Sequence, residues 1–320
     1  MKALVFEEFG GPEVLKYAEI SKPVLKTDEI MVRIEAAGLN FADVYRRKGN
    51  YHLAGKPPYI LGYEGAGVVE DAGNHAEFKP GDRIAFADVP YANAEYAAVP
   101  VEKAIPLPAG ITSDIAASVL LQGLTAQYLT KDSYQVKEGD VILVHAAAGG
   151  VGQILVQIIK MMGGKVIGLT SSAEKREAAL KAGADEVFLY HENWTEKTIA
   201  YTNGKGADAV YESVGSTLNE SFSAVRIGGT VIFYGMAGGD PLPVDPRMLM
   251  DQSKTLTGGD LWNVLTSSEE RQSRASELLK WILDGHIIIQ PPRSFPMEKG
   301  ADAHRLLESR KSTGKILLKP

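Results

Sequence analysis

The chain contains no cysteine among its 320 residues. Disulfides, thiol nucleophiles and cysteine-ligated zinc are therefore excluded, and the composition is compatible with the reducing cytoplasm, where we expect the protein to reside. Long apolar runs are lacking too, because none approaches the ~20 residues that a transmembrane helix needs. The N-terminal stretch reaches Glu7 and Glu8 too early for a secretory signal, so we predict no association with a membrane.

An excess of basic residues is missing as well. Lysine and arginine total 34 against 40 aspartate and glutamate residues, which gives a net charge of −6. This balance argues against broad binding to the phosphates of a nucleic acid. The hydrophobic content of 45% and the charged content of 23% are typical of a soluble globular protein with one large or two ordinary domains.

Histidine is sparse and scattered along the chain. The six histidines show no H-x-x-x-H spacing and no tight cluster; they are His52, His75, His145, His191, His286 and His304. Such a set predicts surface and core residues rather than ligands of a metal ion. We therefore expect no metal site and a chemistry that proceeds without a metal Lewis acid.

The most informative stretch runs from residue 140 to residue 164. A short β-branched run at 141–144 predicts a buried strand, and apolar residues at helical spacing after Gly152 predict a helix. Alanine and glycine make the turn between them. Gly149 would let a pyrophosphate approach the backbone, Gly152 would let the helix pack close to the strand, and the helix N-terminus would offer N–H groups to the phosphates.

This pattern predicts a dinucleotide site, although Ala147 replaces the first glycine of the usual fingerprint. The turn residues that we expect to bind the cofactor are Ala147, Gly149, Gly150, Val151 and Gly152. The alternative explanation is a glycine-rich turn that packs an ordinary strand–helix unit.

The chain changes character near residues 122–123. Before this point, short strands separated by Gly/Pro turns predict a barrel-like β domain, and a helix is predicted at 113–121. After it, strands alternate with helices, which predicts a parallel sheet covered by helices. The predicted strands are 141–145, 165–169, 186–189, 209–212 and 230–234, with an edge strand at 255–257, and the predicted helices are 151–162, 173–182, 194–202 and 217–226. The last segments, helices at 269–283 and 297–308 and a strand at 315–318, fit either domain on sequence alone.

The end of the second strand of this unit indicates which nicotinamide cofactor fits. A site for NAD usually carries an acidic residue about 20 positions after the glycine turn. Here the strand ends in Thr170, Ser171 and Ser172, and Lys175 follows in the next helix. Hydroxyl groups and a cation suit the 2′-phosphate of NADPH, so we predict NADPH rather than NADH. A solvated lysine beside an N-cap serine is the alternative.

Several motifs stand in the order found in a known family. They are HAAAGGVG at 145–152, NFADVY at 40–45, GYEGAG at 62–67, QGLT at 122–125 and LLESR at 306–310. In these motifs the chain resembles, over nearly its whole length, the zinc-free quinone oxidoreductases of the medium-chain dehydrogenase/reductase superfamily. The resemblance implies an α/β fold with a GroES-like β-barrel catalytic domain at 1–122 and 265–320 and a Rossmann domain at 123–264. It also implies a homodimer that transfers hydride from NADPH to a quinone in the cleft between the domains.

The resemblance also assigns residues around the coenzyme. Lys175 and Tyr190 match positions that grip the 2′-phosphate, and Thr125 matches a donor to the nicotinamide amide. Two loops that follow strands would pass along the cofactor, although their glycines also serve simply to end strands. The remaining implied cofactor-binding residues are Gln122, Val214, Gly215, Tyr234, Gly235, Met236 and Lys315.

The expected site of chemistry is metal-free, because Tyr63 stands where related zinc enzymes have a histidine before Glu64. A quinone is electron-poor, so hydride transfer needs proximity and hydrogen bonds rather than strong acid catalysis. The predicted catalytic residues are Asn40, Tyr45 and Tyr51, which can hydrogen-bond a carbonyl. We expect orientation rather than proton donation, because the ordinary pKa of tyrosine is near 10. The alternatives are that Asn40 is an ordinary turn residue and that Tyr45 and Tyr51 are half-buried residues of the protein surface.

Asp43 is predicted to hold the segment that carries Asn40 and Tyr45, through Arg46 or Arg47.

The sequence also fits two other functions. The same hydride could reduce an activated C=C bond in an alkenal, an enone or an enoyl-CoA, and the basic run from Arg46 to Lys48 would then attract a CoA phosphate unless it is a solvated helix end. A third possibility is an NADPH-binding, crystallin-like protein without significant turnover.

Overall fold

Sixteen β-strands and nine α-helices make up the chain in the computed structural model, which describes residues Met1 to Pro320. They divide into two compact units. The first comprises Met1–Leu121, Leu265–Leu283 and Ile289–Pro320, and the second comprises Gln122–Val264 and Asp284–Ile288. No helix combines the length and the apolar content that crossing a membrane requires.

The strands in chain order are β1 (Lys2–Phe6), β2 (Lys16–Glu19), β3 (Glu29–Leu39), β4 (Tyr59–Ile60), β5 (Glu64–Asp71), β6 (Arg83–Ala87), β7 (Tyr96–Pro100), β8 (Ile105–Pro106), β9 (Val141–Val144), β10 (Lys165–Thr170), β11 (Glu186–Leu189), β12 (Ala207–Glu212), β13 (Val225–Phe233), β14 (Thr255–Gly258), β15 (Arg293–Pro296) and β16 (Ile316–Lys319). The helices are α1 (Phe41–Arg47), α2 (Ser113–Tyr128), α3 (Gly150–Met161), α4 (Ala173–Lys181), α5 (Trp194–Tyr201), α6 (Leu218–Ala224), α7 (Pro246–Gln252), α8 (Ser268–Leu283) and α9 (Gly300–Glu308).

The first unit is built on β sheets. A seven-stranded sheet has the order β15-β16-β3-β5-β6-β8, with β7 also paired to β3, and a three-stranded sheet has the order β2-β1-β4. Most residues of the long strand β3 are buried, so it lies at the centre of the core that includes Ile30, Val32 and Ile34. β16 pairs with β3 in antiparallel fashion, with Leu317 opposite Gly38. The C-terminal strand, whose domain the sequence left open, therefore belongs to this unit.

The second unit contains a six-stranded parallel sheet of order β11-β10-β9-β12-β13-β14. This confirms the predicted α/β class, because β-branched and apolar runs such as Val141–Val144 form the buried central strands and helices connect them. From β9 the chain turns to β10 on one side, and β12 lies on the other side. The carboxyl ends of β9 and β12 thus flank the point where the strand order reverses, where open α/β sheets bind ligands.

Two predicted helix boundaries are wrong. The helix predicted to end near Leu121 continues as α2 to Tyr128, so Gln122 and Thr125 lie within a helix. The helix predicted for 217–226 ends at Ala224, because Val225 adopts an extended conformation and pairs with Ala207 as the first residue of β13. The predicted edge strand is confirmed, since β14 pairs only with β13.

Helix α1 is fastened to helix α9 by a buried arginine. The Arg47 guanidinium donates to Nδ1 of His304 at 2.8 Å, to Oε1 of Glu308 at 2.5 Å and to the carbonyl of Gly10 at 3.1 Å. His304 has no exposed surface, and burial together with the charge of Arg47 lowers its pKa from the ordinary 6.5 to about 3. His304 is therefore neutral in the folded protein.

This buried histidine predicts an acid-sensitive stability. Between pH 6.5 and about 3 the unfolded chain binds a proton at His304 that the folded chain excludes, so the free energy of unfolding falls as the pH falls. In urea titrations from pH 6.5 to 4.5, His304→Asn, which keeps an acceptor for Arg47, should lower the slope by about 1.4 kcal/mol per pH unit. His191→Gln, at an exposed site, is the control. Equal slopes in wild type and His304→Asn would contradict a neutral His304.

Candidate functional site

The turn between β9 and α3 is tightly hydrogen-bonded. Ala146 has a left-handed backbone with φ of 47°, the N–H of Ala147 donates to the carbonyl of Leu169 at 3.0 Å, and the N–H of Gly149 donates to the carbonyl of Ala146 at 2.7 Å. Gly149 is the N-cap of α3. The first-turn N–H groups that follow have no acceptor within the helix, and together with the helix dipole they suit an anion.

Two glycines make close contacts where α3 meets the turn. A Cβ on Gly152 would overlap the carbonyl oxygen of Ala146 and would lie 2.8 Å from Cα of Ala147, so the backbone leaves no room for a side chain there. A Cβ on Gly150 would overlap the side-chain amide of Gln122, which packs against the first residue of the helix. The glycines thus form a cradle in which the backbone of the helix N-terminus carries no side chains of its own at 149, 150 and 152, as close approach of a pyrophosphate needs.

The loop after β12 is held by the last residue of that strand. Oε1 of Glu212 accepts from the N–H of Val214 at 2.6 Å and from the N–H of Gly215 at 3.0 Å. The next loop starts where the N–H of Tyr234 donates to the carbonyl of Glu212 at 2.9 Å. Adjacent loops thus carry the predicted cofactor residues Val214, Gly215, Tyr234, Gly235 and Met236.

The residues predicted for the 2′-phosphate stand on neighbouring strand ends of the same sheet. Ser172 is the N-cap of α4, and its hydroxyl oxygen accepts from the N–H of Lys175 at 3.3 Å. The hydroxyl oxygen of Tyr190 accepts from the N–H of Ala146 at 2.9 Å and so joins the end of β11 to the turn. Ser171 is exposed, and Lys175 is half-buried.

A buried polar cluster that sequence reasoning missed lies behind these loops. His145 and Glu212 have no exposed surface, and Nε2 of the histidine is 3.3 Å from Oε2 of the carboxylate. Ser221 and Thr217 donate to that same carboxylate oxygen at 2.6 Å and 2.8 Å. Burial lowers the pKa of His145. Burial opposes ionisation of Glu212, but the hydrogen bonds that the carboxylate accepts from Ser221 and from the N–H groups of Val214 and Gly215 favour the ionised form, and the pKa of Glu212 lies below its ordinary value.

In the first unit, a second buried network surrounds Glu64. Oε2 of Glu64 accepts from Nζ of Lys315 at 2.5 Å and from the side-chain amide of Asn40 at 2.9 Å, while Oε1 accepts from the N–H of Leu121 at 2.7 Å. Nζ of Lys315 also donates to Oδ1 of Asn40 at 2.8 Å. The predicted site residues Asn40 and Lys315, 275 positions apart, are thus brought together. Glu64 is the acceptor that joins Lys315, Asn40 and Leu121. The sequence alone gave no signal for this role, because a single glutamate has no characteristic pattern.

Helix α1 is held at its start by Asp43. Its carboxylate accepts from the N–H of Asn40 at 2.9 Å and from the N–H of Gly62 at 3.3 Å, and it lies 3.5 Å from the guanidinium of Arg46. The predicted role of Asp43 as a structural partner is confirmed by these contacts. Burial raises the pKa of Asp43, although Arg46 and the two N–H donors act in the opposite direction.

Arg46 and Arg47 are fully buried. They therefore form neither a solvated helix end nor a binding site for a CoA phosphate, and both of these predictions are wrong for the two arginines. The reason is that the guanidinium of Arg46 lies 3.5 Å from the ring centroid of Tyr63 and 5.0 Å from that of Tyr51, and donates to the carbonyl of His52 at 3.0 Å. Tyr51 is half-buried beside this stack, and Tyr45 is half-buried on α1. The two tyrosines therefore offer surface to a ligand, as Arg46 does not.

Metal ligands do not converge anywhere in the chain. No group of three or more histidine, aspartate or glutamate side chains is placed to hold a metal ion. At the position next to Glu64 where a histidine was expected in zinc enzymes, the hydroxyl of Tyr63 accepts from the N–H of Ala54 at 2.9 Å.

Comparison with known proteins matches both halves of the chain to described families. Residues 26–137 match the alcohol dehydrogenase GroES-like domain, and residues 150–282 match the zinc-binding dehydrogenase family. A quinone oxidoreductase of Pseudomonas aeruginosa is 39% identical over 100% of this chain and 99% of its own length. A 2-haloacrylate reductase of a Burkholderia species is 34% identical over 99% and 98%. The crystal structure of Escherichia coli quinone oxidoreductase complexed with NADPH superposes with a TM-score of 0.96 at 35% identity, covering 100% of both chains.

The close contact between α3 and the preceding turn predicts that Gly152→Ala destabilises the protein. In a helix, Gly→Ala normally stabilises by about 0.5–1 kcal/mol. Gly152→Ala should instead lower the melting temperature, because the new methyl group overlaps the backbone of Ala146. Gly258→Ala, at the end of strand β14, is the control for an added methyl group, since a Cβ at Gly258 meets nothing within 4 Å in the chain. A Gly152→Ala protein as stable as wild type in thermal unfolding would contradict the close contact.

Proposed function

Because the chain belongs to the quinone oxidoreductase family of the medium-chain dehydrogenase/reductase superfamily, we propose that it is an NADPH-dependent quinone oxidoreductase that works without a metal ion. One observation carries the proposal. A helix N-terminus with glycine at 149, 150 and 152 lies at the switch point of a parallel sheet, where Gly152 permits the close packing.

The proposed coenzyme site follows from the strand ends of the second unit. The first-turn N–H groups of α3 would hold the pyrophosphate, with Lys175, Ser171 and Ser172 beside the 2′-phosphate and Tyr190 next to them. The nicotinamide half would lie along the half-buried residues Gln122, Thr125, Val214, Tyr234 and Met236. Bound NADPH supplies a hydride from C4, and the related E. coli enzyme has been solved with this coenzyme.

The acceptor is proposed to be a quinone that contacts the first unit, as the domain assignment of 1–122 with 265–320 implies. One hydride and one proton convert the quinone to its hydroquinone, and solvent supplies the proton. Tyr45 and Tyr51 are better placed than Asn40 to orient the carbonyl, because the amide nitrogen of Asn40 is directed at Glu64 and Gly38. Asn40 then contributes by holding the ammonium group of Lys315.

Metal independence is supported by the side chains around Glu64. A zinc site in related enzymes uses thiolate, imidazole and carboxylate ligands. Here the carboxylate of Glu64 is neutralised by the Lys315 ammonium group, whose nitrogen lies 2.5 Å away. A second cation at the same carboxylate would meet electrostatic repulsion from that ammonium group.

Reduction of an activated C=C bond is the second candidate function. The similarity to a 2-haloacrylate reductase favours it, because that substrate class carries the electron-poor double bond that a hydride attacks. A protein that binds NADPH without turnover is the third candidate. We also propose a homodimer, for which the unpaired edge of β14, with Leu256 partly exposed, is the candidate contact.

Steady-state kinetics separate these functions. We expect oxidation of NADPH with 1,4-benzoquinone at a kcat/KM at least about tenfold above that with a 2-alkenal or crotonyl-CoA, and about tenfold above that with NADH, because the 2′-phosphate adds charge-assisted hydrogen bonds. A preference for the alkenal would favour the second function. NADPH binding with negligible turnover of every acceptor would favour the third.

Substitution of Tyr45 tests whether its hydroxyl orients or protonates the substrate. Tyr45→Phe should keep kcat within about threefold of wild type, since an ordinary tyrosine is an inefficient acid at neutral pH. Tyr17→Phe in β2 is the control for loss of a phenol hydroxyl in the same unit. If kcat fell more than about 100-fold while the Kd for NADPH stayed unchanged, Tyr45 would be an obligate proton donor instead.

A further inference from the structure

His145 is a buried residue that the proposed chemistry does not use. It lies at the end of β9, directly before the left-handed residue Ala146, and its ring contacts groups from the ends of two other strands. Nδ1 lies 3.3 Å from the hydroxyl of Tyr190, which follows β11. Nε2 lies 3.0 Å from the hydroxyl of Ser221 and 3.3 Å from the carboxylate of Glu212, the last residue of β12.

The protons in this cluster can be assigned from the donors available. The hydroxyls of Ser221 and Thr217 both donate to Oε2 of Glu212, so neither has a proton left for His145. Nε2 must therefore carry the proton of the neutral ring and donate to the oxygen of Ser221. Nδ1 is then an acceptor with two hydroxyls near it, those of Tyr190 at 3.3 Å and Thr217 at 3.4 Å. Because Thr217 donates its proton to Glu212, the donor to Nδ1 is the hydroxyl of Tyr190.

The two sides of the ring consequently serve different loops. On the Nδ1 side, the hydroxyl of Tyr190 is held between His145 and the N–H of Ala146, which donates to the same oxygen at 2.9 Å. On the Nε2 side, Glu212 fixes the N–H groups of Val214 and Gly215. The contact at Nδ1 therefore links His145 to Tyr190, the residue proposed to lie at the 2′-phosphate. The contact at Nε2 links it to the loop of Val214 and Gly215, which would bind NADPH and NADH alike.

We propose that His145 is a positioning residue for coenzyme selectivity, which acts by accepting the Tyr190 proton at Nδ1 and so withholding it from the 2′-phosphate. The inference rests on the proposed function, because it requires Tyr190 to face the 2′-phosphate. Loss of the Nδ1 contact then frees the Tyr190 proton for the 2′-phosphate, which strengthens binding of NADPH and spares NADH, whereas loss of the Nε2 contact weakens both coenzymes alike.

Two amide substitutions separate the two sides of the ring. The side-chain amide in His145→Asn reaches the position of Nδ1, and that in His145→Gln reaches the position of Nε2. We expect His145→Gln to raise the ratio of the Kd for NADH to the Kd for NADPH about tenfold, which is the gain of about one hydrogen bond from the freed Tyr190 hydroxyl to a charged group. His145→Asn should keep the ratio within about twofold while both Kd values rise together.

Coenzyme fluorescence titration measures these Kd values, and His191→Gln, at an exposed histidine of the same unit, is the control. A double-mutant cycle adds Tyr190→Phe, in whose background His145→Gln should leave the ratio unchanged. Parallel changes in both Kd values for both His145 variants would show a merely structural role and would overturn the proposal. Failure of wild type to bind either coenzyme would instead refute the proposed function.

NMR of the wild-type protein tests the same proposal even if the His145 variants fail to fold. The 15N chemical shifts of the imidazole in wild type should show the Nε2-protonated tautomer. Addition of NADPH should shift the Nδ1 resonance, and addition of NADH should leave it in place. The Nδ1-protonated tautomer, or equal shifts with both coenzymes, would overturn the proposal.

Discussion

The close contact between helix α3 and the backbone of Ala146 is the constraint on which the second unit depends. Gly152 allows the contact because it carries no Cβ, and the contact brings the helix N-terminus to the carboxyl end of β9. That position is fixed from the other side by the reversal of strand order between β9 and β12. A dipole, unsatisfied N–H groups and glycine residues without a Cβ then coincide at one point, which suits it to hold a pyrophosphate.

Charge in the interior is always accompanied by partners. Glu64 has a lysine ammonium group, an amide and a backbone N–H, and Glu212 has two hydroxyls and two backbone N–H groups. Breaking such a buried network costs more than a surface pair, because the remaining charge has no water to replace the lost partner. Each network also ties together segments that are distant in the chain. The two carboxylates therefore act as fixed points around which the loops of each unit are arranged.

Local patterns were sufficient for the parts of the fold that depend on neighbouring residues. The run 141–144, the glycines of the turn and the spacing of apolar residues predicted β9, α3 and the parallel sheet, because strand, turn and helix follow one another directly. The helix boundary at Ala224 was missed because pairing of Val225 with Ala207 is not a local property. The extent of α2 was missed because Gly123 and Gln122 look like a boundary in sequence but lie inside the helix.

The site was predictable only in part for the same reason. The cradle could be located from its glycines, but the contact between Asn40 and Lys315 joins residues from opposite ends of the chain. His145 looked like one of six scattered histidines, since its partners come from the ends of two other strands and from helix α6, which only the fold brings together. Burial of Arg46 and Arg47 was hidden by the general preference of arginine for the surface.

If the cradle at the start of α3 binds a phosphorylated nicotinamide cofactor, binding needs no metal ion. Calorimetric titration of the chelator-dialysed protein with NADPH is the decisive measurement. We expect a heat of binding that saturates at one NADPH per chain and is unchanged when zinc is added back. No heat with NADPH or NADH, or binding that returns only with zinc, would contradict it.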